Sequence, residues 1–161
     1  MVTLVFRRSE NSNAIGGDTV HGAYLLQSGK DQTQFRIGIA GQRDRGTLAS
    51  RLRLHLRAKA NPANWTTGLR PWSPLWTLEV LGGTGLCMSM IEHLLYATLA
   101  ARYAFVSDSG FTAPAADAEA IRDIVEGQTD RIAELVQVQL GRRPEIVIQR
   151  DFPLESNRKL G

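Results

Sequence analysis

The stretch VHGAYLLQSGKDQTQFRIGIA, residues 20–40, decides the fold of this chain. Residues 20–27 are rich in residues that favour strands, and in residues 33–40 apolar side chains alternate with small or charged ones. Between them, residues 28–32 read SGKDQ, a composition typical of a turn. Two strands joined by so short a turn predict a β-hairpin.

The rest of the chain predicts an α+β fold built around this hairpin. Thr47 has the character of an N-cap, and leucines four residues apart predict a helix over residues 47–59. A loop, a strand and a helix are predicted over residues 61–73, 74–81 and 86–103. One long helix is predicted over residues 116–140, ending at Gly141, and a short strand over 145–149.

The sequence therefore predicts a small three-stranded, mostly antiparallel sheet flanked by helices, with an extra C-terminal helix and short strand. Residues 7–20 are predicted to be a loop, and residues 104–114 to be extended or loop. With 161 residues and a hydrophobic fraction of 43%, residues 1–161 are expected to form a single domain.

Composition and charge limit the kinds of binding partner and environment that are expected for the chain. No apolar run approaches the roughly 18 residues that cross a bilayer, so no membrane partner is predicted. The chain has one cysteine, Cys87, which excludes an intrachain disulfide and suits a reducing, cytoplasmic environment. Residues 1–103 contain 12 Lys and Arg against 6 Asp and Glu, whereas residues 104–161 contain 7 against 10. This asymmetry favours an anionic partner such as nucleic acid, with a merely solvated basic surface as the alternative.

Four residues are candidates for a functional site. Arg51 and His55 are four residues apart and share one face of the predicted helix. Glu92 lies in the apolar run SMIEHLLYATLAA, where a carboxylate is costly to bury unless it is paired or bound to a metal. Tyr24 follows Gly22, which permits close approach of the backbone. The alternatives are a Glu92 that faces solvent or pairs with Arg51 or Arg102, and a Tyr24 that only packs.

Together these residue types match the needs of phosphodiester hydrolysis. That reaction requires a metal, a cation for the developing charge on the phosphate, and a group that transfers a proton. Glu92 could bind the metal, and Arg51 could be the cation for the phosphate. The pair of Tyr24 and His55 could transfer the proton. A single carboxylate predicts a one-metal site, and the glycines at residues 82–85 lack the lysine of a P-loop.

This pattern resembles the GIY-YIG nuclease family over about residues 20–105. Residues 22–24 (GAY) and 36–38 (RIG) correspond to the two signature strands, and Arg51 and His55 to the Arg-x-x-x-His helix. The resemblance implies a catalytic core at residues 20–105, a C-terminal helical extension at residues 106–161, and DNA as the expected nucleic acid. It implies that Tyr24 is the general base or positions water, that Arg51 binds the scissile phosphate, and that His55 hydrogen-bonds within the site. Glu92 would hold one divalent cation, Mg²⁺ or another such as Mn²⁺.

Two departures from the family pattern leave alternatives open. Arg36 occupies the position of the second motif's tyrosine, where it would either clamp a phosphate or mark a site that has lost activity. The asparagine that many members carry after the glutamate is missing from residues 104–107. The expected function is a divalent-metal-dependent endonuclease. The alternatives are a catalytically impaired nucleic-acid-binding module and an interaction domain that forms a homodimer through residues 116–140.

Overall fold

A computed structural model describes residues 1–8, 19–41, 47–56, 68–83, 85–107 and 109–150. The strands within these residues are β1 (Thr3–Arg8), β2 (His21–Ser28), β3 (Gln34–Ala40), β4 (Trp72–Leu81), β5 (Ala104–Phe105), β6 (Gly110–Thr112) and β7 (Glu145–Arg150). The helices are α1 (Leu48–Leu56), α2 (Met88–Ala100), α3 (Ala118–Glu126) and α4 (Thr129–Leu140). None of the helices in these ranges is long and apolar enough to cross a membrane.

The α+β class is confirmed, but the prediction of a three-stranded sheet is wrong. The strands form one seven-stranded sheet in the order β5-β6-β3-β2-β4-β1-β7. The prediction missed β1, which pairs antiparallel with β4 and parallel with β7, and it left β5 and β6 as extended or loop. Short strands carry little local signal, because pairing with distant residues stabilises them.

The predicted β2–β3 hairpin is confirmed, and its register positions the site. Tyr24 pairs with Gly38, and Leu26 pairs with Arg36. At the turn, the Ser28 hydroxyl accepts hydrogen bonds from the backbone N–H groups of Lys30 and Asp31. Residues opposite each other in an antiparallel pair project to the same face, so Tyr24, Gly38, Leu26 and Arg36 share one face of the sheet.

That face packs against α1, and the opposite face packs against the other helices. The first cluster contains Tyr24 and Leu26 of β2 with Leu48 and Leu52 of α1. The second contains the alternate residues of β2, Ala23 and Leu25, with the buried side chains of α2, α3 and α4. We call these the α1 face and the α2 face of the sheet.

The start of α1 is confirmed by its cap. The backbone N–H of Ser50 donates to the Thr47 hydroxyl at 3.2 Å, and the Ser50 hydroxyl accepts from the Thr47 N–H at 2.9 Å. Leu48 packs directly on Gly22, where an added Cβ would lie 2.5 Å from Leu48 Cδ2. The predicted end of the helix at residue 59 lies outside the described residues.

The prediction of a single long helix over residues 116–140 is wrong. Gly127 and Gln128 separate α3 from α4, and each helix buries its own apolar residues, among them Ile121 in α3 and Val136 in α4. The predicted helix end at Gly141 is confirmed by its positive φ of 77°. The C-terminal strand β7 joins the edge of the sheet beside β1, so residues 145–150 belong to the main sheet.

Candidate active site

A strand and a helix meet at a contact between Tyr24 and His55. Tyr24 in β2 is fully buried, and its Oη lies 3.2 Å from Nε2 of His55 in the last turn of α1. The two ring centroids are 5.5 Å apart. The sequence placed these residues in one site, and the structure brings them within hydrogen-bonding distance.

Gly38 makes room for the tyrosine ring. A Cβ built on Gly38 would lie 2.5 Å from both Cζ and Oη of Tyr24, closer than real Cβ contacts. The glycine of the second motif therefore has a steric role. The Tyr24 ring lies across β3, and any larger residue at position 38 would displace the phenol.

The charges of three arginines act on the imidazole of His55. Burial, and after it the positive charges of Arg36, Arg51 and Arg70, lower the pKa of His55 from 6.5 to about 3. His55 is therefore neutral at physiological pH. Its tautomer decides whether Nε2 accepts the phenolic hydrogen of Tyr24 or donates its own.

Two of these arginines were predicted from the sequence. Arg51 lies one turn before His55 on α1, and Arg36 lies on β3 on the same face as Tyr24. Arg36 therefore projects to the face that the tyrosine of the second motif would occupy. Its half-buried side chain adds a cation beside the neutral His55.

The sequence did not predict a role for Arg70, which precedes β4. The backbone on both sides of Arg70 is tied to the end of β2: the Ser28 hydroxyl donates to the Leu69 carbonyl at 2.6 Å, and the Gly29 N–H donates to the Pro71 carbonyl at 2.7 Å. An arginine before a proline in a predicted loop carries no sequence signal for a site. Only the packing of this segment against the hairpin turn brings Arg70 to His55.

The structure places Glu92 on α2 and therefore on the other face of the sheet. Tyr96, four residues later, contacts Phe105 of β5 with ring centroids 4.3 Å apart, so this flank of α2 faces the β3–β6–β5 side. The helix follows β4, begins at the Ala40 end of β3 and runs towards the Phe35 end. Glu92 thus lies one turn nearer the Gly38–Ala40 end than Tyr96 does.

Among the described residues, β6 pairs with only the first half of β3. In the described parts of the chain, β6 pairs only with Gln34, Phe35 and Arg36, and the backbone N–H of Ile37 donates to Ser109. Gly38, which lies beneath the Tyr24 ring, is beyond the part of β3 that pairs with β6. Glu92 therefore lies across the sheet from the Tyr24–His55 contact, and within the described ranges no hydrogen bond joins it to the site residues.

A one-carboxylate site is compatible with Mg²⁺. Mg²⁺ keeps several waters and is commonly held by one or two carboxylates together with substrate phosphate. Glu92 is half-buried, and no ion pair or hydrogen bond within the described residues occupies its carboxylate. The same residues contain no group of three or more His, Cys, Asp or Glu able to hold a metal.

Glu79 carries a buried carboxylate that was not predicted from the sequence either. Glu79 of β4 is 4% exposed, Nη1 of Arg7 lies 2.6 Å from its Oε1, and the Thr19 hydroxyl donates to its Oε2. Glu79 pairs with Gly22 and so lies on the α1 face. Its engagement by a cation and a hydroxyl gives it the character of a structural ion pair that ties β1 to β4.

Comparisons of the chain with protein-family models, with curated proteins and with solved structures found no match.

Proposed function

We propose that this protein is a divalent-metal-dependent endonuclease that hydrolyses phosphodiester bonds of nucleic acid, with DNA as the expected substrate, and that it resembles the GIY-YIG nucleases. The observation that carries the proposal is the buried contact of Tyr24 with His55, together with Arg36 and Arg51, whose charges act on His55. These residues come from two strands and a helix. Their grouping supplies a phenol, a neutral imidazole and fixed cations in one buried place.

In this mechanism the arginines bind the phosphate. Arg51 and Arg36 pair with its non-bridging oxygens and stabilise the charge that develops on them in the transition state. Guanidinium groups suit this task because their planar donors match phosphate oxygens. Both lie on the α1 face, so the scissile phosphate sits over the Tyr24–His55 contact.

Tyr24 positions the attacking water and takes part in proton transfer. His55, with a pKa of about 3, is a weak base in the free protein and therefore orients the phenol by hydrogen bonding. The resemblance assigns the divalent cation to Glu92, which lies across the sheet; when bound, the cation would supply Lewis-acid stabilisation of the phosphate oxygens.

The test is cleavage of a diverse substrate panel. Supercoiled plasmid, linear duplex, branched and single-stranded DNA, and RNA are incubated with the protein and Mg²⁺ or Mn²⁺, with EDTA as the blank. We expect cleavage by wild type, and loss of cleavage with retained nucleic-acid binding in Glu92→Gln. Glu134→Gln, an exposed carboxylate on α4, is the matched control and should cut like wild type. Intact substrates across the whole panel would reject the enzymatic function.

A second candidate is a nucleic-acid-binding module that has lost the chemistry. It is favoured by the position of Arg36, where the resemblance places a tyrosine, and by the concentration of positive charge around a neutral His55. It predicts salt-sensitive binding without turnover. The variant Arg36→Tyr separates the two candidates: gain of cleavage in an inactive background supports the impaired module, and loss of an existing activity supports the endonuclease.

A further inference from the structure

Arg70 adds a cation that belongs to none of the motifs of the resemblance. Hydrogen bonds of the two neighbouring residues, Leu69 and Pro71, hold its backbone to the end of β2. The Leu69 side chain packs against the cluster on the α1 face. Arg70 thus stands on a tethered segment at the turn end of the hairpin.

One donor of its guanidinium lacks an acceptor among the described residues. Nε of Arg70 is buried without a hydrogen-bond acceptor in the described part of the chain. The Arg70 charge also acts on His55. A buried donor without an acceptor is costly, and a bound anion would satisfy it.

The arginines lie at different positions along β2. Leu48 at the start of α1 packs on Gly22, and His55 in its last turn reaches Tyr24, so α1 runs towards the hairpin turn. Arg51 lies between those two contacts, and Arg70 lies at the turn end beside Ser28. Arg70 therefore lies nearer the hairpin turn than Arg51 does. A single phosphodiester carries one negative charge, whereas a nucleic-acid strand presents a regular row of them.

We propose that Arg70 binds the phosphate next to the one held by Arg51, so that the site spans two consecutive phosphates of one strand. This inference rests on the proposed nucleic-acid substrate, but it concerns binding and does not require cleavage. Arg70 is then a positioning residue that fixes the register of the strand over Tyr24.

The experiment measures binding in EDTA, where the metal-dependent reaction does not proceed. Two probes are compared: an oligothymidylate of eight nucleotides, and dithymidine monophosphate, which holds a single phosphodiester. For Arg70→Gln we expect about tenfold weaker binding of the longer probe. We also expect a salt dependence smaller by about 0.7 in the slope of log K against log salt, the loss of one contact on a single strand.

The short probe distinguishes the two phosphates. Its binding, followed by the His55 NMR signals, should be unchanged in Arg70→Gln and lost in Arg51→Gln. Arg131→Gln, which removes an equal charge from an exposed position on α4, should bind both probes like wild type. Arg70→Lys keeps the charge and should retain the salt slope of wild type. This result would show that the change seen in Arg70→Gln comes from the lost charge and not from a folding defect.

The proposal is overturned if Arg70→Gln binds the longer probe with wild-type affinity and slope, or weakens both probes equally. It is also overturned if wild type binds neither probe. A wild type that binds both probes as expected but cuts no substrate in the cleavage panel would reject the endonuclease and leave the role of Arg70 standing.

Discussion

Oη of Tyr24 and Nε2 of His55 lie 3.2 Å apart, although one residue belongs to the β2–β3 hairpin and the other to the last turn of α1. The contact is buried, and its imidazole is neutral. The contact joins β2 to α1, which the sequence alone showed only as successive elements of the chain.

Removing the Tyr24 hydroxyl should abolish cleavage and spare the fold. Tyr24→Phe keeps the ring over Gly38 and loses only the hydrogen bond to His55, which costs about 1 kcal/mol of stability. We expect cleavage to fall by roughly 10²–10⁴-fold, the range of proton-transfer groups. Tyr103→Phe, which removes a hydroxyl that donates to Asp117, is the control and should cut normally. Equal activity of Tyr24→Phe and wild type would remove Tyr24 from the mechanism.

A methyl group at position 38 should disturb the same phenol sterically. The added Cβ would lie 2.5 Å from the Tyr24 ring, so Gly38→Ala must displace Tyr24 or shift β3. We expect a loss of about 1–3 kcal/mol in the free energy of unfolding, typical of overpacking, together with reduced cleavage. Gly127→Ala, in the junction between α3 and α4, meets its nearest atoms at 3.3 Å and should be close to neutral. Urea denaturation and the plasmid assay measure the two effects, and a fully stable, active Gly38→Ala would contradict the packing role.

Stability should depend on pH through His55. Its pKa falls from 6.5 to about 3 on folding, so the unfolded chain binds more protons between these values. The free energy of unfolding should therefore decrease as pH falls from about 6.5 towards 3, by up to ~1.4 kcal/mol per pH unit from this residue.

The variant His55→Gln isolates this contribution. It retains the other titrating groups, so the difference between its pH profile and that of wild type reports His55 alone. Urea titrations at several pH values provide both profiles. Parallel profiles would show that His55 is protonated normally in the folded protein.

Breaking the Arg7–Glu79 pair should destabilise the sheet strongly. Arg7→Ala removes the arginine from the ion pair with the 4%-exposed carboxylate of Glu79, and breaking a buried pair in this way typically costs about 3–5 kcal/mol. Arg122→Ala removes a partner of Glu119, whose side chain is 64% exposed, and should cost less than about 1 kcal/mol. Chemical denaturation compares the two variants, and equal small losses would mean that the buried pair contributes little.

The parts of the candidate site that lie within one helix or one strand could be predicted from the sequence. Arg51 and His55 stand four apart on a helix whose cap and leucine spacing are visible in the sequence, so their common face follows from helix geometry. The alternation of β3 likewise placed Arg36 on the face of Gly38. Arg70 and Glu79 could not be found this way, because each joins its partners through strand pairing or hydrogen bonds with distant residues.

The sequence by itself determined the hairpin, the capped helix and the types of residue available for chemistry, because turn composition, side-chain alternation and helical spacing act over a few neighbouring positions. Only the tertiary structure decided the seven-stranded sheet, the break between α3 and α4, and which cations surround His55. Those features depend on contacts between residues far apart in the chain. Short strands and isolated arginines acquire their roles only when packing brings such residues together.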